Sequence, residues 1–235
     1  MSEKEAIGPG SDKTKPMVFS GTEGVVTKRT EYQVNLEVSL KLKSALIARG
    51  YDVYMIRETN DVSLSNKKRA LMANESGSDI LLRIHCNSAD SQSANGALTM
   101  SPTLSNPYCR SIAADSQELS ECVVSTLCRR TGAVNRGVTQ TDEMTGINWS
   151  KIPVTIRLRW DLCQNPEEDQ KLSDNHYQSM LAEGIADGVD RYYERKRRRE
   201  RRKMNYRDHR ITCDRSTCRA GDYQDPGLLF HRKRL

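Results

Sequence analysis

From Glu31 to Tyr193 the chain alternates helix-period segments with short apolar runs, and few folds accept that rhythm. In "EYQVNLEVSLKLKSALIARG", Val34, Val38, Leu42 and Leu46 fall four apart, which predicts an amphipathic helix stopped by Gly50. "YDVYMIRET" follows, dense in β-branched and aromatic residues, and predicts a strand. A polar helical stretch around "SNKKRALMANES" leads to a second strand in "DILLRIHCNS", and "GALTM" (Gly96 to Met100) reads as a third after a Ser/Asn/Gly-rich turn. Arg110 to Arg130 carries Ile112, Leu119, Val123 and Leu127 on one side of a helix. "IPVTI" is a further strand, and Asp174 to Tyr193 closes the pattern with Tyr177, Leu181, Ile185 and Val189 in helical register. The fold class implied is α/β: a mostly parallel, twisted sheet covered by helices on both faces.

Two regions flank this rhythm. Met1 to Thr30 is rich in Gly, Lys, Ser and Thr without a sustained period and reads as an exposed loop. At the other end, eight of the ten residues in "ERKRRRERRK" (Glu194 to Lys203) are basic. Glu194 to Leu235 holds fifteen Lys/Arg against six Asp/Glu, a surplus of nine, so within a total of +6 the rest of the chain is mildly acidic at −3. The expected division is therefore a domain over residues 1–193 and a basic tail over 194–235, poorly structured or a solvated extension of the last helix. That tail accounts for an apolar content of 36%, below the ~45–50% usual for globular domains. A charge run can bind anionic polymers, but no aromatic interleaving or nucleic-acid module accompanies it, so nucleic acid is not the expected partner. The seven cysteines form no Cys-x-x-Cys knuckle and read as reduced, mostly buried thiols. No run of ~20 apolar residues marks a membrane span, and "MSEKEAIGPGSDKTKPM" lacks the apolar core of an export signal.

In open α/β sheets ligands gather beyond the carboxyl ends of the strands. His85 lies where the apolar "ILLRI" gives way to the polar "CNS", which puts its imidazole at such a lip. Glu31 opens the first predicted helix, where the backbone dipole favours a carboxylate. Plain capping accounts for Glu31 equally well, and hydrogen-bonded structure would account for an isolated His85.

The order of "EYQVNLEVSLKLKSALIARGYDVYMIRET", "NKKRALMAN", "IHCNS", "NGALTM" and "PVTI…NPEED" closely resembles the zinc-dependent N-acetylmuramoyl-L-alanine amidases of the amidase-3 type, over roughly Ile7 to Tyr193. The resemblance implies a peptidoglycan hydrolase of the cell wall or extracellular space, here expected as a monomer. It would cleave the amide between the lactyl group of N-acetylmuramic acid and L-alanine with a zinc-activated water. Carried over by motif, Glu31 would be the carboxylate ligand of Zn2+, ahead of Asn35 in "E-x-x-x-N-L". His85 would be an imidazole ligand, followed by Asn87, with Arg83 where the family more commonly has Ser. Asn35 and Asn87 are the candidate substrate-binding residues. Catalytic zinc takes three protein ligands and keeps a fourth position for water.

Two departures qualify this expectation. The family's opening strand and its first His ligand would precede "SEKEAIGPGS" and are expected to be missing, and His176, His209 and His231 fall too far along to match. The family's catalytic Glu follows a strand like "PVTIVEMGF", whereas here "RLRWDLCQ" (Arg157 to Gln164) puts Leu158 near that position, with Asp161 as the available substitute. Codons can be chosen for those eight residues that, read two bases later, spell Val-Glu-Met-Gly-Leu-Met-Ser, so a frame slip is expected there; a diverged loop is the alternative. The resemblance thus implies an amidase with impaired activity, and the competing reading is a non-catalytic module that binds peptidoglycan.

Overall fold

The computed structural model of the chain describes residues 3–17, 21–61, 63–86, 96–156 and 165–212, the last eight of these as backbone only. Among the described residues the central sheet has four strands, in the order β3 (Leu81–Arg83), β6 (Val154–Ile156), β4 (Ala97–Ser101) and β5 (Asn135–Gln140). β3 runs parallel to β6, with Leu81 opposite Val154 and Arg83 opposite Ile156; β4 runs parallel to β5; β4 and β6 meet antiparallel at Met100 and Ile156. Two of the three pairings are parallel, and helices cover both faces.

Side-chain alternation along the strands divides the interior in two. Ile80, Leu82 and Ile84 pack on a large cluster built from α1 (Glu31–Ala48), α3 (Arg110–Thr131) and α6 (Asn175–Thr212), through Val34, Val38, Leu119, Val123, Leu181 and Ile185. Leu81, Val154 and Ile156 point the other way, to Ala73 of α2 (Asn66–Glu75), Ile147 of α4 (Thr145–Asn148) and the start of α3 at Cys109 and Ile112. A sheet apolar on both faces needs a cover on each, which is why helix-period segments separate the strands in sequence.

The helix boundaries follow local chemistry. Thr30 precedes α1, and the Gln33 side chain reaches back to the Thr30 N–H at 3.2 Å, a capping box with Gln in the usual Glu/Gln place. The helix ends before Gly50, whose φ of 84° is left-handed and admits glycine without strain. Ser65 caps α2 by accepting from the Lys68 N–H.

Several expectations need correction. Residues 51–57 make no ladder among the described residues: their backbone is extended, with Val53 and Ile56 leaning on the two clusters. The stretch read as an exposed loop contains a hairpin, β1 (Lys4–Ala6) antiparallel to β2 (Thr14–Pro16), whose strands are too short and polar to show periodicity. Tertiary contacts fix it. Both Glu5 carboxylate oxygens accept from the Lys67 N–H at the start of α2, and Trp149 Nε1 donates to the Ala6 carbonyl at 3.0 Å. β5, α4 and α5 (Pro166–Ser173) are further elements that periodicity did not reveal. The closing helix α6 continues past Tyr193 to Thr212, held by Arg199 bonding Asp115 and Glu118 of α3, so of the two readings of the basic tail its first part follows the helical extension. Among the described residues, no helix is long and apolar enough to cross a membrane.

Candidate active site

Helix α1 starts, and the chain leaves β3, at the same place. Glu31 Oε1 lies 3.2 Å from His85 Nδ1, with the Glu31 side chain largely buried at 14% exposure and His85 at 34%, open to one side. Both line one cavity of about 570 Å3 that runs beside α1 and β3. The fold converts a separation of 54 residues into direct contact.

Two further side chains hold this pair. Asn35, one helical turn after Glu31, donates from Nδ2 to Glu31 Oε1 at 3.2 Å, while its Oδ1 accepts from the Cys86 N–H at 2.9 Å. One buried amide therefore ties the acid on α1 to the backbone next to the imidazole. Thr22 adds a hydroxyl 3.4 Å from Glu31 Oε2, and its carbonyl accepts from the Glu31 N–H at 2.8 Å. Sequence reasoning missed Thr22, which lies in an aperiodic segment, and it could not foresee that both ends of Asn35 would be engaged within the protein. Asn87, Leu158 and Asp161 lie outside the described residues.

The segment leading into Glu31 is anchored from a distance. Asp169, fully buried on α5, accepts from the N–H groups of Val26 and Thr27 at 2.7 and 2.8 Å and from the Thr27 hydroxyl at 2.5 Å. Gly24 passes so close that a Cβ there would sit 2.1 Å from Asp169 Oδ1. The acidic "NPEED" start of α5 thereby sets the path of residues 24–30 and the position of the start of α1.

The cavity wall is mixed. Leu36, Leu42, Leu46 and Val189 supply its apolar floor, and Arg57 and Arg69 stand in its wall. Burial holds both guanidinium groups below their ordinary value, and for Arg69 the positive charge of Arg57 adds to the effect. Arg57 donates to the carbonyls of Tyr32 and Thr59, and Arg69 to that of Leu64, so both cations act as braces for the backbone.

Comparison with known proteins matches residues 6–191 to N-acetylmuramoyl-L-alanine amidase, the amidase-3 family. The chain belongs to the amidase-3 family. It is 30% identical over 163 residues to the N-acetylmuramoyl-L-alanine amidase LytC of Bacillus subtilis (strain 168), covering 69% of this chain and 31% of that relative, so it spans about a third of that protein's length. Among solved structures, the N-acetylmuramoyl-L-alanine amidase from Clostridium difficile 630 superposes with a TM-score of 0.63 at 30% identity, covering 74% of this chain and 89% of the other. The apo form of the amidase Ami1 from Mycobacterium abscessus superposes at 0.73 with 18% identity over 82% of this chain and 90% of that one, a likeness of fold.

A resident zinc, as the resemblance implies, can be tested against the side chains present. Glu31 and His85 are suitable donors lining one cavity. Among the described residues, however, no group of three or more His, Cys, Asp or Glu could hold a metal ion. The described donors do not complete the three-ligand set of a catalytic zinc.

Proposed function

We propose that this amidase-family domain acts on peptidoglycan at the amide joining the lactyl group of N-acetylmuramic acid to L-alanine, in the cell wall or outside the cell, and that its hydrolysis is impaired. The observation that carries the reading is the contact of Glu31 with His85 at the end of a parallel-sheet strand, where this fold class places its chemistry. Glu31 and His85 are the proposed zinc ligands. Asn35 is a positioning residue, because its amide bonds to Glu31 and to the Cys86 backbone. The impairment rests on the Leu158 position, where a missing general acid–base group would cost ~10²–10⁴ in rate.

The test measures metal and product together. Elemental analysis of the purified chain at micromolar zinc is expected to find bound zinc, and Glu31→Gln or His85→Ala should lower its content. Incubation with purified cell walls is expected to yield binding with slow release of new amino termini. One tightly held zinc per chain with rapid release would overturn the impairment; zinc content indifferent to both substitutions would overturn the ligand assignment.

A further inference from the structure

The last helix carries its charge unevenly. In "ERKRRRERRK" eight of ten residues are basic, and α6 is helical through the whole run. On its inner side the cations are matched. Arg199 bonds Asp115 and Glu118 of α3, Arg195 Nη1 lies 3.9 Å from Glu121 Oε2, and Arg191 donates to the Ser125 hydroxyl. These contacts step backward along α3 as α6 advances, so the two helices run antiparallel and α3 presents its carboxylates to that one face. At about 100° per residue, Arg197 and Arg201 lie about 160° round the axis from Arg199, with Arg198 and Arg202 beside them. All four are exposed, and none makes a hydrogen bond or an ion pair with a described residue.

This outward face works against its own helix. Arg197 with Arg201 and Arg198 with Arg202 are like-charged pairs one turn apart, an arrangement that destabilises a helix. The following chain offers no remedy: residues 205–235 hold seven Lys/Arg against four Asp/Glu, so that segment carries the same sign as the face. An anion supplied from outside would turn the repulsion into attraction. Guanidinium groups present paired N–H donors that fit phosphate oxygens, and four of them on successive turns, about 6 Å apart along the axis, suit a chain that carries charge at intervals. Residues 194–203 contain no aromatic ring on which a base could stack and no apolar side chain to enter a bilayer.

We propose that the outward face of α6 at Arg197, Arg198, Arg201 and Arg202 binds a flexible phosphodiester polyanion without bases. The proposal is independent of the peptidoglycan reading and of the Glu31–His85 pair.

The probe is a fluorescein-labelled poly(glycerol phosphate) chain, titrated into the full chain and followed by anisotropy. Neutralising four phosphates, at ~0.7 per phosphate for a single strand, gives log affinity a slope of about −3 against log salt, so affinity is expected to fall about fiftyfold between ~50 and ~200 mM salt. The variant carrying Arg197→Gln, Arg198→Gln, Arg201→Gln and Arg202→Gln should bind at least about tenfold more weakly at low salt and with a flatter slope, without a lower urea midpoint. Hydrogen exchange at residues 197–203 should slow on polymer addition. Should the variant not fold, the salt slope of the parent and its exchange pattern still decide. Binding that ignores salt, binding unchanged in the variant, protection confined to other residues or no binding at all would overturn the proposal. So would tighter binding of an oligothymidylate of equal charge, which makes the partner a nucleic acid, or of phosphatidylglycerol vesicles at equal phosphate, which makes it a membrane.

Discussion

Removing the Asp169 carboxylate should loosen the segment that delivers Glu31, and the cost can be worked from the geometry. Three hydrogen bonds end on it, two from the backbone N–H groups of Val26 and Thr27 and one from the Thr27 hydroxyl. A hydrogen bond to a charged group contributes ~1.5–3 kcal/mol, so three would sum to about 4.5–9 kcal/mol if no water replaced them. Water can replace some, because Val26 is exposed and Thr27 half-buried, and Asp169→Ala is therefore expected to cost about 3 kcal/mol. Asp169→Asn keeps an oxygen for the two N–H groups and turns its amide toward the Thr27 hydroxyl, so its expected cost is about 1 kcal/mol. Urea unfolding at pH 7 measures both as shifts in midpoint at constant slope. A double-mutant cycle sharpens the test. Gly24→Ala should be strongly destabilising in the parent, where the new methyl meets Asp169, and far milder in Asp169→Ala, where that carboxylate is gone. Additive costs, or Asp169→Ala and Asp169→Asn within experimental error of each other, would refute the claim that this carboxylate anchors the loop.

The other predictions probe different parts of the same frame. Asn35→Ala should lower zinc retention by about tenfold while leaving the fold intact by circular dichroism, since it releases both the Glu31 carboxylate and the Cys86 backbone; unchanged retention would remove its positioning role. Arg49 bonds Glu183, Asp187 and Asp190 of α6, and for Asp187 the bonds from Arg130 and Arg49 outweigh burial and hold its carboxyl below the ordinary value. A depressed carboxylate stabilises above its unfolded value near ~4 and loses that contribution as pH falls through the folded value. Arg49→Met should thus cost about 2 kcal/mol at pH 7 and progressively less below pH ~4, read from urea midpoints across pH; a pH-independent cost would contradict it. Burial pushes the Cys109 thiol up to about 12, helped by the negative charge of Asp142, and the Cys128 thiol up to about 11, so neither should alkylate in native protein at pH 8 by peptide mass mapping.

Much of the fold was legible because periodicity reports burial. Val34, Val38, Leu42 and Leu46 sit on α1 facing the large cluster, and "ILLRI" and "IPVTI" became the paired strands β3 and β6. What escaped has a common cause: it is fixed by contacts remote in sequence. The β1–β2 hairpin depends on Glu5 meeting α2 and Trp149 meeting Ala6, and β5 is an exposed edge strand with no alternating apolar signal. Tyr51–Arg57 erred in the other direction. Its composition favours a strand, yet a strand needs a neighbour, and composition is silent on whether one is present.

The same distinction applies to the site. Glu31 and His85 could be picked out because one begins a helix and the other ends a strand, positions that sequence marks. Their support was not legible as support: in the sequence Asn35 stands out only as a substrate-binding candidate, Asp169 only as part of a motif and Thr22 not at all, because the three act through bonds that exist only after the chain has closed on itself. The consequence is a division of labour: Glu31 and His85 come from regular elements whose position is set by the core, while their orientation is set by polar contacts outside it. Substitutions of Thr22 or Asn35 should therefore disturb the Glu31–His85 pair at little cost in global stability, whereas core changes such as Leu119→Ala, fully buried on α3, should cost ~2–5 kcal/mol yet leave the pair's geometry intact in molecules that remain folded.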